Sequence, residues 1–321
     1  MGTDVEFYCK VMLMDPVEGR ITSVDFIKGL MITLMVTFHL PLSGYVVDAT
    51  PYVYAFHMPV FLVLSGFFLK VDRDYKAYSK GLARIAIPYV IFQTLYICAI
   101  GLLQNYFPTS NTIENFGIGT VAYHVLWSPC GTYWYLHTLL IYAIVLKVSY
   151  ELAKENWVHT IVYSLACLAV LDGFIVGFDF SNAIYLSIGV IANYLGTKTT
   201  KLNISSMYAL FPIVVVFSFS SHLSRYDLAS GFIVTLMMIS FCVALYEYIP
   251  NKVKSVVNFL GRNSLCIVVF SSYYNIGVKM IAPLFVFDST GLLLACMGTV
   301  IVIGLCLITK MVLNKLHFDY I

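Results

Sequence analysis

Apolar residues gather into runs near spanning length, separated by short polar or basic stretches. The runs cover 26–44, 52–69, 81–103, 132–150, 158–177, 182–197, 204–220, 229–248, 257–278 and 289–313. Crossing the hydrocarbon core takes about 20 apolar residues as a helix. In lipid the backbone must satisfy its own hydrogen bonds, so each run is predicted to be a helix. The expected fold is all-α: a polytopic membrane helical bundle of about ten transmembrane helices in one membrane domain over 1–321.

The polar positions between the runs set the orientation. Basic residues collect in alternate segments: Lys10 and Arg20; Lys70, Arg73, Lys76, Lys80 and Arg84; Lys147 and Lys154; Lys198 and Lys201; Lys252, Lys254 and Arg262; Lys310 and Lys315. The intervening segments hold only Arg225 and Lys279. Positive charge stays inside, so both termini, including the segment 1–25, are expected in the cytoplasm. Residues 104–131 then form an extracytoplasmic loop, nearly uncharged and aromatic, with Pro108, Gly117, Gly119 and Pro129 and room for a short interfacial helix. The N-terminus lacks the basic, apolar and small-residue pattern of a cleaved signal, so the first span is expected to be retained.

Composition agrees. Sixty per cent hydrophobic and 11% charged residues exclude an ordinary soluble domain, whose charged fraction is about 25%. A net charge of +2 gives no reason to expect nucleic acid as a partner; the bilayer is the expected one. Eight cysteines fall singly in or near apolar runs without CxxC or Cys/His spacing, so they read as small core residues and not as a disulfide framework or metal site.

The candidate chemistry lies in the first two runs, RITSVDFIKGLMITLMVTFHLPLSGYVVDATPYVYAFHMPVFLVLSGFFLK. An ionisable group at membrane depth costs about 2.5–3.5 kcal/mol for a central lysine, so it calls for a partner or a task. Lys28 and His39 are eleven residues apart. On a continuous helix that places them roughly 20° apart in azimuth and roughly 16 Å apart in rise, on one face. His39 near the outer end of the first run, His57 near the outer start of the second and His137 in the fourth are expected at similar depth. Arg20, Asp25, Lys28 and Arg84 gather at the cytoplasmic mouth. Neutral imidazole can take a proton from a hydroxyl near neutral pH. Cations at the mouth suit a phosphate-rich donor. Together they describe transfer from a cytoplasmic activated donor to a hydroxyl.

The same residues carry a family resemblance. Arg20, Ser23, Asp25, Lys28 and Gly29, His39 at the spacing Lys-X10-His, and FHMPVFLVLSGFF at 56–68 resemble the integral-membrane acyltransferases of acyltransferase family 3. So do ARIAIPY at 83–89, GTYWYLHTLLIY at 131–142 and LGRNSLCIVVF at 260–270. The resemblance implies a ten-helix O-acetyltransferase type of enzyme in the cell membrane. It would move an acyl group, usually acetyl, from cytoplasmic acetyl-CoA or another acyl-CoA to a hydroxyl of a cell-surface or lipid-linked glycan. No bound cofactor is expected, and three histidines from three helices at one depth are weak grounds for a metal, so none is expected either. The resemblance implies His39 as catalytic residue with Lys28 required, and an Arg-X-X-Arg motif at the third helix for acyl-CoA. Here Gly81 stands at the first arginine and Arg84 at the second, with Lys80 one residue early as a point charge. Many members have a histidine where Ser271 aligns.

Several residues keep two readings. Asp25 either orients Arg20 or Lys28 as an ion pair or helps bind donor, and Arg84 is a donor ligand or a topology determinant. His57 is an acceptor-site or packing histidine. Trp134 stacks on a sugar or anchors at the interface. His137 reads as packing, and Gly66 as a close helix contact. The acyl group could pass directly with His39 as base or through an acyl-imidazole. The alternative function is a transporter or flippase with Lys28, His39 and His57 lining the path.

Overall fold

The computed structural model describes residues 21–106, 112–196, 228–318 and 320. Among them the regular elements are helices, with no strand. In chain order these are α1 (Thr22–Phe38), α2 (Gly44–Asp48), α3 (Thr50–Tyr54), α4 (His57–Phe67), α5 (Tyr75–Leu103), α6 (Ile118–Leu126), α7 (Trp134–Leu152), α8 (Trp157–Asp172), α9 (Phe180–Gly196), α10 (Leu228–Tyr248), α11 (Asn251–Arg262), α12 (Ser264–Ile281) and α13 (Leu292–Lys315). A 3-10 turn, Gly131–Tyr133, leads into α7. Five segments are long and apolar enough to cross a bilayer: Tyr75–Leu103, Gly131–Leu152, Gly231–Tyr248, Ser264–Phe285 and Leu292–Lys315. The chain is a multi-pass helical membrane protein. The run expected at 204–220 lies outside the described residues.

Proline and capping residues explain where the helices depart from the apolar runs. The first run was expected to continue to residue 44, but α1 ends at Phe38. Pro41 has no N–H to donate and disfavours the helical conformation of the residue before it. The last turn tightens, with His39 N–H bonded to Val36 O and Leu40 N–H to Thr37 O. The run 52–69 is broken between α3 and α4, because Pro59 cannot return an N–H to Ala55 and instead sits in the first turn of a new helix. In the other direction, α5 begins six residues before the apolar run, where the Asp74 carboxylate accepts from Ala77 N–H as N-cap. The run 257–278 divides at Asn263: its start belongs to α11, an amphipathic helix, and the remainder to α12.

The described residues form two compact units. The first gathers residues 21–35, 50–61 and 228–264, and the second takes the rest. In the first, α1 and α11 touch backbone to backbone. A Cβ on Gly261 would stand 1.8 Å from Asp25 O, and one on Gly29 would stand 2.0 Å from Val257 O, so neither position has room for a side chain. Beside this crossing the Phe26 and Tyr246 rings meet edge-on at 5.3 Å, and the Tyr246 hydroxyl donates to Thr22 at 3.0 Å.

In the second unit α4 and α9 make the same kind of contact. A Cβ on Gly66 would lie 2.0 Å from Leu186 O, and one on Gly189 would lie 2.0 Å from Val63 O. Gly66 is thus the close helix contact its sequence context suggests. Buried hydroxyls join other helices: Tyr142 to Ser187 at 2.9 Å, Tyr78 to Ala143 O at 2.8 Å, and Tyr133 to Val269 O at 2.7 Å. Each gives a polar group its partner within an apolar interior. Of the described cysteines, Cys130, Cys242, Cys266 and Cys306 are buried as expected, whereas Cys167 and Cys296 are exposed; none forms a disulfide.

Candidate functional site

His39 follows the last residue of α1 and is half-buried in the second unit. The 100° per residue relation to Lys28 therefore stops one residue short of it. The chain on either side of His39 is held tightly. Thr299 gives its hydroxyl proton to Ala295 O, so it accepts at 2.8 Å from Thr37, two residues before His39. Leu40, the next residue, packs where a Cβ on Gly298 would stand 2.9 Å from Leu40 Cδ1. Beyond Pro41, two glycines clasp the loop. Gly44 has φ +56° and lies so close that a Cβ would meet Ser289 O at 2.2 Å. Gly291 has φ +73°, and its Cβ would meet Ser43 O at 2.0 Å. Both need the left-handed backbone and the missing side chain.

The loop that receives this clasp is itself braced. The Asp288 carboxylate accepts from the Thr290 hydroxyl at 2.6 Å, Thr290 N–H at 3.0 Å and Leu293 N–H at 2.8 Å. These bonds, the Thr290 hydroxyl foremost, hold its carboxyl below the ordinary value. They cap α13 at its start, where an anion is favoured. An open groove of about 530 Å³, lined by residues including Phe287, Asp288, Leu293 and Cys296, borders the loop.

The other expected residues fall as follows. Arg20 lies outside the described residues. Asp25 is in the first turn of α1 and Lys28 one turn further; both are half-buried in the first unit. Lys80 and Arg84 are exposed on α5, four residues apart and therefore on one face. Gly81 is open, with nothing within 4 Å of a Cβ. His57 begins α4 and is buried; its Nδ1 donates to Val53 O at 2.8 Å, and its ring lies 5.1 Å from that of Tyr54. Trp134 begins α7, half-buried, its ring edge-on to Tyr135 at 6.4 Å. Among the described residues no group of three or more His, Cys, Asp or Glu could hold a metal ion.

Two features escaped the sequence. Lys147, read from sequence as one of the cytoplasmic cations, is buried. Its ammonium donates to Val71 O at 3.0 Å and Arg73 O at 2.8 Å and pairs with Glu151 at 2.8 Å. The rings of Tyr75, Tyr78 and Tyr150 surround it at 4.9–5.7 Å. It pins the turn that leads into α5, the helix carrying Lys80 and Arg84. His137, read as a packing histidine, is 4% exposed; its Nε2 bonds Leu126 O at 2.9 Å, while Nδ1 is buried without a partner. Gln93, wholly buried on α5, has neither amide atom paired. A lone glutamine in an apolar run gives no pattern to read.

A family model described as an acyltransferase domain matches residues 21–311. The chain is also similar to nodulation protein NolL of Mesorhizobium japonicum, with 26% identity over 164 residues, 48% of this chain. That match spans 41% of the relative's length. No solved structure matches the chain.

Proposed function

This chain belongs to the acyltransferase 3 family, and from that premise we propose that it is a multi-pass acyltransferase of the cell membrane that takes an acyl group, acetyl in the first instance, from cytoplasmic acyl-CoA and places it on a hydroxyl of a cell-surface or lipid-linked glycan. The observation that carries the reading is the family match over nearly the whole chain, which takes in Lys28, His39 and the basic 70–84 segment together. His39 is the base. Its neutral imidazole accepts the proton of the acceptor hydroxyl as the oxygen attacks the thioester carbonyl, and CoA leaves as the thiol. In a two-step version the imidazole itself attacks first and carries the acyl group before the hydroxyl receives it. Either route gains where the bound substrates exclude water as a competing acceptor.

Lys28, eleven residues before His39 in sequence, supplies a positive charge for the cytoplasmic mouth, with Asp25 and Arg20 beside it in sequence. Lys80 and Arg84 supply cations for the CoA phosphates, Arg84 able to fork across two oxygens and Lys80 acting as a point charge. His57 and Trp134 belong to the acceptor side, where an indole face suits a sugar ring.

The test is mass spectrometry of surface glycans from cells with and without the gene, beside purified protein incubated with acetyl-CoA. Loss of an acetyl mass from the glycan, and loss of thioester cleavage in His39→Ala, are the expected results. Normal transfer by His39→Ala would overturn the assignment of the base.

A further inference from the structure

A second polar cluster lies inside the second unit, on α5, α12 and the segment of α7 that begins with Trp134. Tyr89, Gln93 and Tyr96 occupy one face of α5, at the four- and three-residue spacing of helix neighbours. The Tyr89 ring lies 5.9 Å from the His137 ring and 6.3 Å from that of Tyr133; the Tyr96 ring lies 5.8 Å from Tyr133 and 5.2 Å from Tyr273. Gln93 lies between the two tyrosines on that face. Across from them on α12, Ser272 accepts from Thr132 N–H at 3.1 Å, and Asn275 lies one turn beyond it. The hydroxyls of Tyr89, Tyr133, Tyr273 and Thr132 find partners in Val125 O, Val269 O, Phe92 O and Val268 O. Gln93 Nε2 and Oε1, His137 Nδ1, Thr138 Oγ1 and Asn275 Oδ1 are buried without a hydrogen-bond partner. Buried amides are otherwise almost always paired, and a clustered group of exceptions marks a place where another molecule supplies the partners.

The chemistry of those atoms specifies that molecule. Leu126 O can only accept, so His137 Nε2 carries the proton and Nδ1 presents a bare lone pair. Gln93 presents both N–H donors and an acceptor oxygen. A hydroxyl satisfies the set, donating to Nδ1 and accepting from the amide. The side chains named here carry no formal charge, and an ion would be costly to bury among them. Flat tyrosine faces beside them suit the C–H faces of a sugar. We propose that Gln93 and His137, with Asn275 at the margin, form a binding site for a neutral polyhydroxylated ligand, which on the acyltransferase reading above is the acceptor glycan. The end of α6 hangs from the same layer by two bonds, Tyr89 Oη to Val125 O at 2.6 Å and His137 Nε2 to Leu126 O at 2.9 Å.

Gln93→Leu separates this role from a structural one. An apolar isostere removes two unpaired buried amide atoms, so as a packing change it should leave the protein at least as stable. Wild type, Gln93→Leu and Asn275→Leu are expressed in cells that make the native glycan. Acyl mass on the glycan, membrane abundance, detergent melting temperature and cleavage of acetyl-CoA by the purified protein are read for each. The expected result for Gln93→Leu is at least a tenfold loss of glycan acylation at unchanged abundance, unchanged or raised melting temperature and unchanged KM for acetyl-CoA. Asn275→Leu should lose less. Wild-type levels of glycan acylation in Gln93→Leu would show that the amide meets buried water only, and overturn the proposal. Should Gln93→Leu fail to accumulate, the amide is structural and the proposal is again overturned. Absence of acylation in the wild type sinks the acyltransferase reading instead, so the two failures are distinct.

Discussion

At the scale of single residues, Gly81 stands where the family resemblance expects an arginine, and the position is open and exposed on α5. An arginine there would share a helix face with Arg84, three residues on, without displacing any neighbour. It would also relieve a helix-interior glycine, worth about 1 kcal/mol. Gly81→Arg is therefore expected to lower the KM for acyl-CoA several-fold, with kcat and glycan acceptor preference unchanged. Lys147 makes the opposite case. Its cation is enclosed by three tyrosine faces and two carbonyls, and deleting it leaves the buried Val71 carbonyl without this donor. Lys147→Met should destabilise the protein by about 3 kcal/mol, read as a clear fall in the melting temperature in detergent. Sequence gives both residues away unequally. Gly81 is visible because a motif surrounds it, whereas the cage around Lys147 joins residues 71 to 150 across helices and has no period.

Among elements, apolar runs found the helices well and their ends poorly. Hydropathy sees only the side chains that face lipid or core, whereas a helix ends where its backbone runs out of donors or meets a cap. Pro41, Pro59, Asp74 and Asn263 accordingly set boundaries that the apolar pattern ran across. The consequence matters most for His39, which proline removes from the helix that carries Lys28 and which is then held by the Gly44 and Gly291 clasp. The crossing of α1 and α11 was equally hidden, because a glycine signals contact only once its neighbour is known. At that crossing a valine on residue 261 would drive two methyl groups into the Asp25 carbonyl, already 1.8 Å from a bare Cβ. Gly261→Val is expected to cost more than 3 kcal/mol through overpacking, measured as loss of folded protein in the membrane fraction, whereas Gly277→Val, in open space, should be tolerated.

For the whole molecule, topology follows from charge, since hydropathy gives the number of crossings but not their direction. On the charge bias, the turn at Lys154 and the start of α11 at Lys252 are expected to face the cytoplasm, and Gly119 and Thr290 to face outward. Introduced singly as cysteines in a cysteine-free background, Gly119→Cys and Thr290→Cys should react with a membrane-impermeant thiol reagent on intact cells, and Lys154→Cys and Lys252→Cys only after permeabilisation. The pair Lys154 and Lys252 is the informative one. Between them lie α8, α9 and α10, three apolar helices, so a common cytoplasmic side requires one further crossing. The run expected at 204–220, outside the described residues, is the candidate for it. Labelling of Lys252→Cys from outside would remove that crossing, invert every later segment and put Lys310 and Lys315 on the outer surface, against the charge bias that orients the rest of the chain.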